Sequence, residues 1–303
     1  MPMTGVPTSS AVDPFSDAVL DDPYPMHAAL REAGPAVRLE RYGVYALARH
    51  DDVAAALRDE TTYCSGRGVG LADFAHEEPW RPQSLLLEAD PPDHTAARRV
   101  VTGVLTRSAM GAMRALFDER AAEVADQVVA AGAIDGVHDV AHAFPLSVFP
   151  DAMGLPDWGR EALLPYGCMV FNGFGPRNGH FERAMKQGAE ARDVIMSMTL
   201  RENLRPDGFG MQILEAGEAA GYSEGDASLI MRSVLSAGVD TTVHALGSAL
   251  LCFADAPEQW DALRANPDRA EAAFEEVVRF ESPVQTFFRT TTTDTDVDGV
   301  TIP

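Results

Sequence analysis

One uninterrupted stretch constrains this chain more than any other: Ser223 to Ala256, SEGDASLIMRSVLSAGVDTTVHALGSALLCFADA. Ser223 followed three residues on by Asp226, just before an apolar run, is a helix N-cap with an acid in the first turn. Leu229, Ile230, Val234, Leu235, Val239, Leu246, Leu250 and Leu251 then predict a helix apolar over much of its circumference. A helix of that kind belongs inside a protein, and the rest of the chain must be organised to cover it.

Its remaining side is unusual. Ser233, Ser236, Ala237, Asp240, Thr241 and His244 follow the i, i+3, i+4, i+7 spacing and share a face. A solvated stripe carries Lys, Glu and Arg, whereas this one carries small or short polar groups and suits the lining of a cavity. Gly238 in mid-helix costs roughly 1 kcal/mol relative to Ala. Thr241 and Thr242 can bond back to the i−4 carbonyl and bend the helix. An acid at 240 against a buried wall is costly unless paired or wet. Two readings stay open on the residues alone. One is a functional departure from local helix rules; the other is a glycine permitting a close helix crossing, with Asp and Thr bonded locally.

The other features narrow the field. A formal net charge of −22 argues against nucleic acid or an anionic membrane as a partner. Arg232, Asp240 and His244 interrupt the most apolar helix, so no membrane span is expected. Cys64, Cys168 and Cys252 are too few and too scattered for a disulfide framework or a clustered metal motif. The first residues lack the basic and apolar regions of a secretory signal, and a cytoplasmic protein is the expectation.

Along the chain, residues 1–12 read as a disordered tail, and 13–303 as a single, mostly helical domain with minor sheet. Short helices are predicted at 24–32 and 51–59, around a hairpin over 37–48 that turns at Tyr42-Gly43. Residues 63–88 form an irregular, glycine-rich functional loop. Helices follow at 93–105, 108–131, 140–153, 158–171, 180–201, 207–220, 257–265 and 268–280, with strands from Val284 onward turning at Asp298-Gly299.

Four clusters carry possible chemistry. ADPPDHTAARR opens a helix with His94 and Arg98 one turn apart at its positive end, which favours a bound carboxylate or phosphate or is simply a solvated basic face. Glu276 and Arg279 form an i, i+3 pair, either exposed or buried among Val277, Val278 and Phe280. In SPVQTFFRTTT, Phe287 and Arg289 point to one side of a strand, an aromatic beside a cation or a surface arginine. Arg81 and Ser84 in PWRPQS matter only if their loop covers the central helix.

Ala237-Gly238-Val239-Asp240-Thr241-Thr242, Glu276-x-x-Arg279 and His94-Thr95-x-x-Arg98, at these separations, resemble the soluble bacterial cytochromes P-450 from about Asp13 to the end. The stretches WRPQSLLLEADPP, AFPLSVFPDAMGL, VFNGFGP, SAGVDTTV and RFESPVQTFFRTTT are similar to the subgroup that oxidises para-substituted benzoates such as 4-methoxybenzoate. The resemblance implies the cytochrome P-450 fold, a mainly α bundle around a long central helix with small β-sheets. It also implies a haem monooxygenase that uses O₂ and two electrons from a ferredoxin and its reductase. Asp240 and Thr241 are the implied catalytic acid–alcohol pair, Asp240 relaying protons and Thr241 holding dioxygen. His94, Arg98 and Arg289 are implied to bind haem propionates, and Ala237 with the bend at Gly238 to leave room on the haem's distal side. The implied substrate residues are Arg81, Ser84, Ser233 and Ser236 at the carboxylate, with Phe171, Phe174 and Phe287 as apolar walls. Glu276 and Arg279 are implied to be structural.

The pattern departs from the family at one point. These enzymes hold iron through a cysteine in a Phe-x-x-Gly-x-x-x-Cys-x-Gly loop, and the sequence contains none. No metal ligand is therefore assigned here: the haem-ligating Cys is expected beyond Pro303, the domain is read as C-terminally incomplete, and the fragment alone is expected to be inactive. Two other classes compete. One is a non-catalytic helical binding protein for a hydrophobic acid. The other is a Mg²⁺-dependent isoprenoid enzyme, for which only Asp21-Asp22 and Asp51-Asp52 offer carboxylates, at a turn and a helix start.

Overall fold

The computed structural model describes residues 8–303. Near its start, β2 (Val37–Leu39) and β3 (Val44–Ala46) form the expected hairpin, registered Val37 to Ala46. A third strand, β1 (Thr8–Ser10), runs parallel to β2 with Thr8 opposite Val37. The expectation of a disordered tail through residue 12 is thus wrong from Thr8 onward. The exposed edge of β2 offers backbone partners, and the Thr8 hydroxyl donates to the Ala33 carbonyl at 3.1 Å. Residues 1–7 lie outside the described part. Around this sheet sit α1 (Asp17–Asp21), α2 (Tyr24–Ala33) and α3 (His50–Arg58).

The loop after α3 contains one short strand, β4 (Tyr63–Cys64), which pairs antiparallel with β5 (Thr290–Thr291). That ladder ties the loop to a segment more than two hundred residues away. The chain closes on the hairpin of β6 (Thr295–Val297) and β7 (Val300–Ile302), turning where Asp298 and Gly299 take φ of 51° and 85°. Asp and Gly tolerate this left-handed region best.

Between these lie α4 (Asp93–Val104), α5 (Arg107–Ala112), α6 (Arg114–Ala131), α7 (Ala143–Met153), α8 (Leu163–Asn172), α9 (Gly179–Met198), α10 (Phe209–Ala219), α11 (Glu224–Asp255), α12 (Pro257–Ala265) and α13 (Ala270–Glu281). The pattern predicted as one helix over 108–131 breaks at Met113. The pattern over 140–153 is preceded by a wide π-type turn, Gly136–His142, whose first amides donate to Asp135.

Helix α11 is the predicted central rod, capped by the Ser223 hydroxyl, which accepts from the Asp226 amide. At 1.5 Å per residue, its 32 residues span about 48 Å. It packs on α7, α8, α10 and α13. Ile230, Met231 and Leu235 are buried with Met153, Ile195 and Ile213 in the main core, while Val239 and Val243 join Ala141 in a second cluster. By length and composition α11 is apolar enough to cross a membrane, so its charges do not exclude a span as the sequence reading expected. They are too few within any one stretch of it; what identifies α11 as a core helix is the protein packed against it.

Candidate active site

The polar face of α11 does not stay together. Asp240 turns inward against α8 and is only 7% exposed. Gly167 makes that possible: a Cβ there would collide with the Asp240 carboxylate. No described residue pairs with this acid, and burial alone pushes its pKa up to about 7. Ala237 is exposed and Thr241 half-exposed, so the next side of the helix is open. The Thr241 hydroxyl donates to the Ala237 carbonyl at 2.9 Å, and Thr242 does the same to Gly238 at 3.0 Å.

Gly238 requires a correction. The space its missing side chain leaves is taken by the Phe149 ring of α7, not held open for a ligand. The close-crossing reading holds at this position, because a ring from a neighbouring helix already fills the notch.

At the other end of this face the irregular loop does cover the central helix. Ser84 and Ser233 hydroxyls lie 2.8 Å apart, and the amides of Leu86 and Leu87 donate to the Ser84 hydroxyl at 3.2 and 3.0 Å. Arg81 is largely buried and donates Nη1 and Nη2 to the two carboxylate oxygens of Glu88 at 2.9 and 3.1 Å, while Nη1 also donates to Pro82 O at 2.9 Å. The guanidinium lies 5.6 Å from the Trp80 ring and 5.8 Å from that of Phe174. Tyr166, half-buried on α8, has its hydroxyl pKa raised by desolvation, against the opposing pull of Arg81 and Arg232. Arg232 is half-buried, is lowered by desolvation, and has no carboxylate partner among the described residues.

Phe171 and Phe174 meet edge to face at 6.2 Å. With Phe287, Val69 and Val284 they line a cavity of about 250 Å³. None of Arg81, Ser84, Ser233 and Ser236 lines it, and the Ser236 hydroxyl donates to the Ser233 carbonyl at 3.2 Å. The residues expected at the substrate thus fall into two adjoining groups, bridged where Arg81 lies over Phe174.

Of the expected propionate residues, Arg289 is tied to the entry of α4 by long-range contacts. Asp90, at the entry to α4, accepts from the Ser65 and Gly66 amides, and its charge acts on Arg289, whose pKa burial lowers. Arg289 stacks on Phe287 at 4.7 Å and donates to Phe288 O. His94 lies in the first turn of α4 and Arg98 one turn further, half-buried and exposed respectively. A flat, doubly acidic cofactor needs a low wall and cations at its acid edge. Ala237 and Thr241 supply the first, and Arg98 and Arg289 the second, with His94 a further polar side chain on the same helix as Arg98, so the chemistry of these residues fits haem. No thiol here stands in a ligand loop: Cys64 is buried in β4, Cys168 is contacted by Asn172, and Cys252 lies in the last turn of α11. Among the described residues no group of three His, Cys, Asp or Glu could hold a metal.

Glu276 and Arg279 form a forked pair, both bonds 2.7 Å, but they are 61% and 68% exposed, which rules out the buried version of that pair. Three residues carry more of the site than the sequence reading gave them. Glu88, Arg232 and Phe149 each had only a faint signal: an acid ending a leucine run, a cation inside an apolar helix, and a phenylalanine among others on α7.

No protein-family model matches the chain. Cytochrome P450 CYP199A2 of Rhodopseudomonas palustris is 49% identical over 299 residues, covering 98% of this chain and 72% of that protein. The chain belongs to the cytochrome P450 family. A beta-dihydromenaquinone-9 omega-hydroxylase of Mycobacterium tuberculosis is 29% identical, and this P450 chain spans 59% of its length. Among solved structures, the cytochrome P450 CYP109Q5 of Chondromyces apiculatus superposes with a TM-score of 0.75 at 26% identity, covering 96% of this chain and 74% of that one. CalO2, at 24% identity and a TM-score of 0.80 over 96% of this chain and 74% of its own, shares the fold. The P450 fold, the oxidoreductase class and haem as cofactor follow from this membership.

Proposed function

We propose that this P450 oxidises para-substituted aromatic carboxylic acids and removes the methyl group of a para-methoxybenzoate. One arrangement carries the reading: the largely buried Arg81 guanidinium, which shares Glu88 with the Ser84 amide, lies 5.8 Å from the ring of Phe174, and that ring in turn lines the phenylalanine-walled cavity. A benzoate asks for that combination, an anion site at one end and aromatic walls along its ring. The likeness of WRPQSLLLEADPP and VFNGFGP to the benzoate-oxidising subgroup supports it.

His94, Arg98 and Arg289 would hold the haem propionates, and Ala237 is the small residue that would leave room beside the ring. Haem, when bound, supplies activation of O₂ with two electrons delivered by a ferredoxin and its reductase, one oxygen atom entering the para substituent and the other leaving as water. Arg81 and the two serines anchor the acid, so that only the para group reaches the reacting region. A methoxy carbon that gains a hydroxyl becomes a hemiacetal, which collapses to phenol and formaldehyde. Asp240, with its pKa near neutrality, holds a proton at its carboxyl. Thr241 Oγ1, whose own hydrogen is engaged by Ala237 O, keeps its lone pairs free to accept a hydrogen bond on the open side of the helix.

The test is turnover of 4-methoxybenzoate by the haem-loaded enzyme with a ferredoxin and its reductase. Equimolar 4-hydroxybenzoate and formaldehyde are expected. Haem-loaded protein that neither binds nor oxidises aryl carboxylates rules the substrate class out while leaving the family intact.

A further inference from the structure

An arginine has five N–H groups in a rigid fork. On Arg81, both Nη1 hydrogens are committed, to Glu88 and to Pro82 O, and one Nη2 hydrogen is committed to Glu88. Its Nε–H and second Nη2–H make no bond to a described residue, leaving one edge on which a second carboxylate could be held in parallel. Glu88 has its own complete set of partners: the end of that fork and the Ser84 amide at 2.8 Å. The site therefore already contains a carboxylate before any substrate arrives.

We infer that Glu88 sets the strength and charge preference of acid binding, by offsetting the Arg81 cation so that a bound carboxylate meets a guanidinium whose charge is already balanced on its other edge. This rests on the benzoate reading of the pocket. It answers a difficulty in that reading, since the phenol product keeps the carboxylate and would be gripped as firmly as the substrate. A resident anion weakens both grips. It does so without being needed for geometry, because Pro82 O, Trp80 and Phe174 hold the guanidinium independently of it.

Glu88→Gln keeps the oxygen that accepts from the Ser84 amide and Arg81 Nη1, removes the charge, and gives up the acceptor of Arg81 Nη2. In calorimetric titrations of the haem-loaded enzyme, it should tighten binding of 4-methoxybenzoate and 4-hydroxybenzoate by about tenfold or more. Binding of neutral 4-methoxybenzamide should stay within about twofold. Glu88→Asp, which keeps the charge, should leave acid affinity within about threefold of the parent. Glu88→Ser is the second neutral variant and carries the same expectation if the glutamine does not fold. Acid binding that weakens or stays put in the neutral variants, an equal gain for the amide, or an equal gain in Glu88→Asp each overturns the inference. Arg81→Leu separates the two layers. If it lowers acid and amide binding alike, the carboxylate site itself is wrong; if it lowers only the acid and Glu88→Gln changes nothing, only the role of Glu88 falls.

Discussion

Two carboxylates sit at nearly the same depth, Glu88 at 6% exposure and Asp240 at 7%, yet their surroundings are opposites. Glu88 receives a guanidinium fork and a backbone amide. Asp240 receives nothing from the described residues and is pushed to a pKa of about 7 by the loss of water. Burial alone therefore does not say what an acid is for. A paired buried acid is a fixed charge that shapes the field of a pocket. An orphaned one shuttles between charge states near neutral pH, which suits proton delivery and costs stability once it ionises.

The largest expected effect comes from erasing that difference. Arg81→Leu orphans Glu88 and should cost about 3–5 kcal/mol of stability, read as a drop in denaturant midpoint. It should also weaken 4-methoxybenzoate binding about a hundredfold, against less than about threefold for the neutral amide. A fully stable Arg81→Leu protein would show that Glu88 does not depend on its partner.

Asp240→Asn attacks the other member of the pair. The folded-state pKa is raised, so the native protein holds a proton that the unfolded chain releases at lower pH. The penalty is absent in acid, grows from about pH 4 and levels off above about pH 7. The parent should lose roughly 2–4 kcal/mol across that window from this group, and Asp240→Asn should not. Parallel stability–pH curves for the two proteins break the contrast with Glu88. Thr241→Ala is a smaller perturbation of fold and should leave benzoate affinity within about twofold. Reducing equivalents should then be diverted to hydrogen peroxide, and unchanged coupling of electron use to product removes Thr241 from proton transfer. Least of all, Glu276→Gln at the exposed pair should shift the melting temperature by no more than about 1 °C, since solvent screens both partners.

Much of the frame was legible in the residues. The Ser223 cap, the apolar run to Leu251, the Tyr42-Gly43 and Asp298-Gly299 turns, and the Pro257–Ala265 helix all stand close to where their patterns put them. What was not legible is how one helix face divides. The spacing places Ser233, Ala237, Asp240 and Thr241 side by side, and it cannot say that Gly167 admits Asp240 while Phe149 closes the notch at Gly238. Glu88 escaped for a similar reason: Arg81, seven residues earlier in irregular chain, has no periodic relation to it. Their meeting depends on a loop fold that no local pattern encodes.

By itself the sequence determined the parts list: a long apolar rod with a short polar edge, a basic helix start, and the motifs that place the chain among the P450s. The rod, its edge and the helix start follow from periodicity and residue chemistry, which act over a few neighbouring positions, whereas the motifs speak through resemblance to a family. Only the tertiary structure decided which polar groups would be paired and which left alone, because desolvation and counter-charge depend on residues brought together from distant segments. That distribution of partners, more than the identity of the acids, separates the ion-paired Glu88 from the unpartnered Asp240.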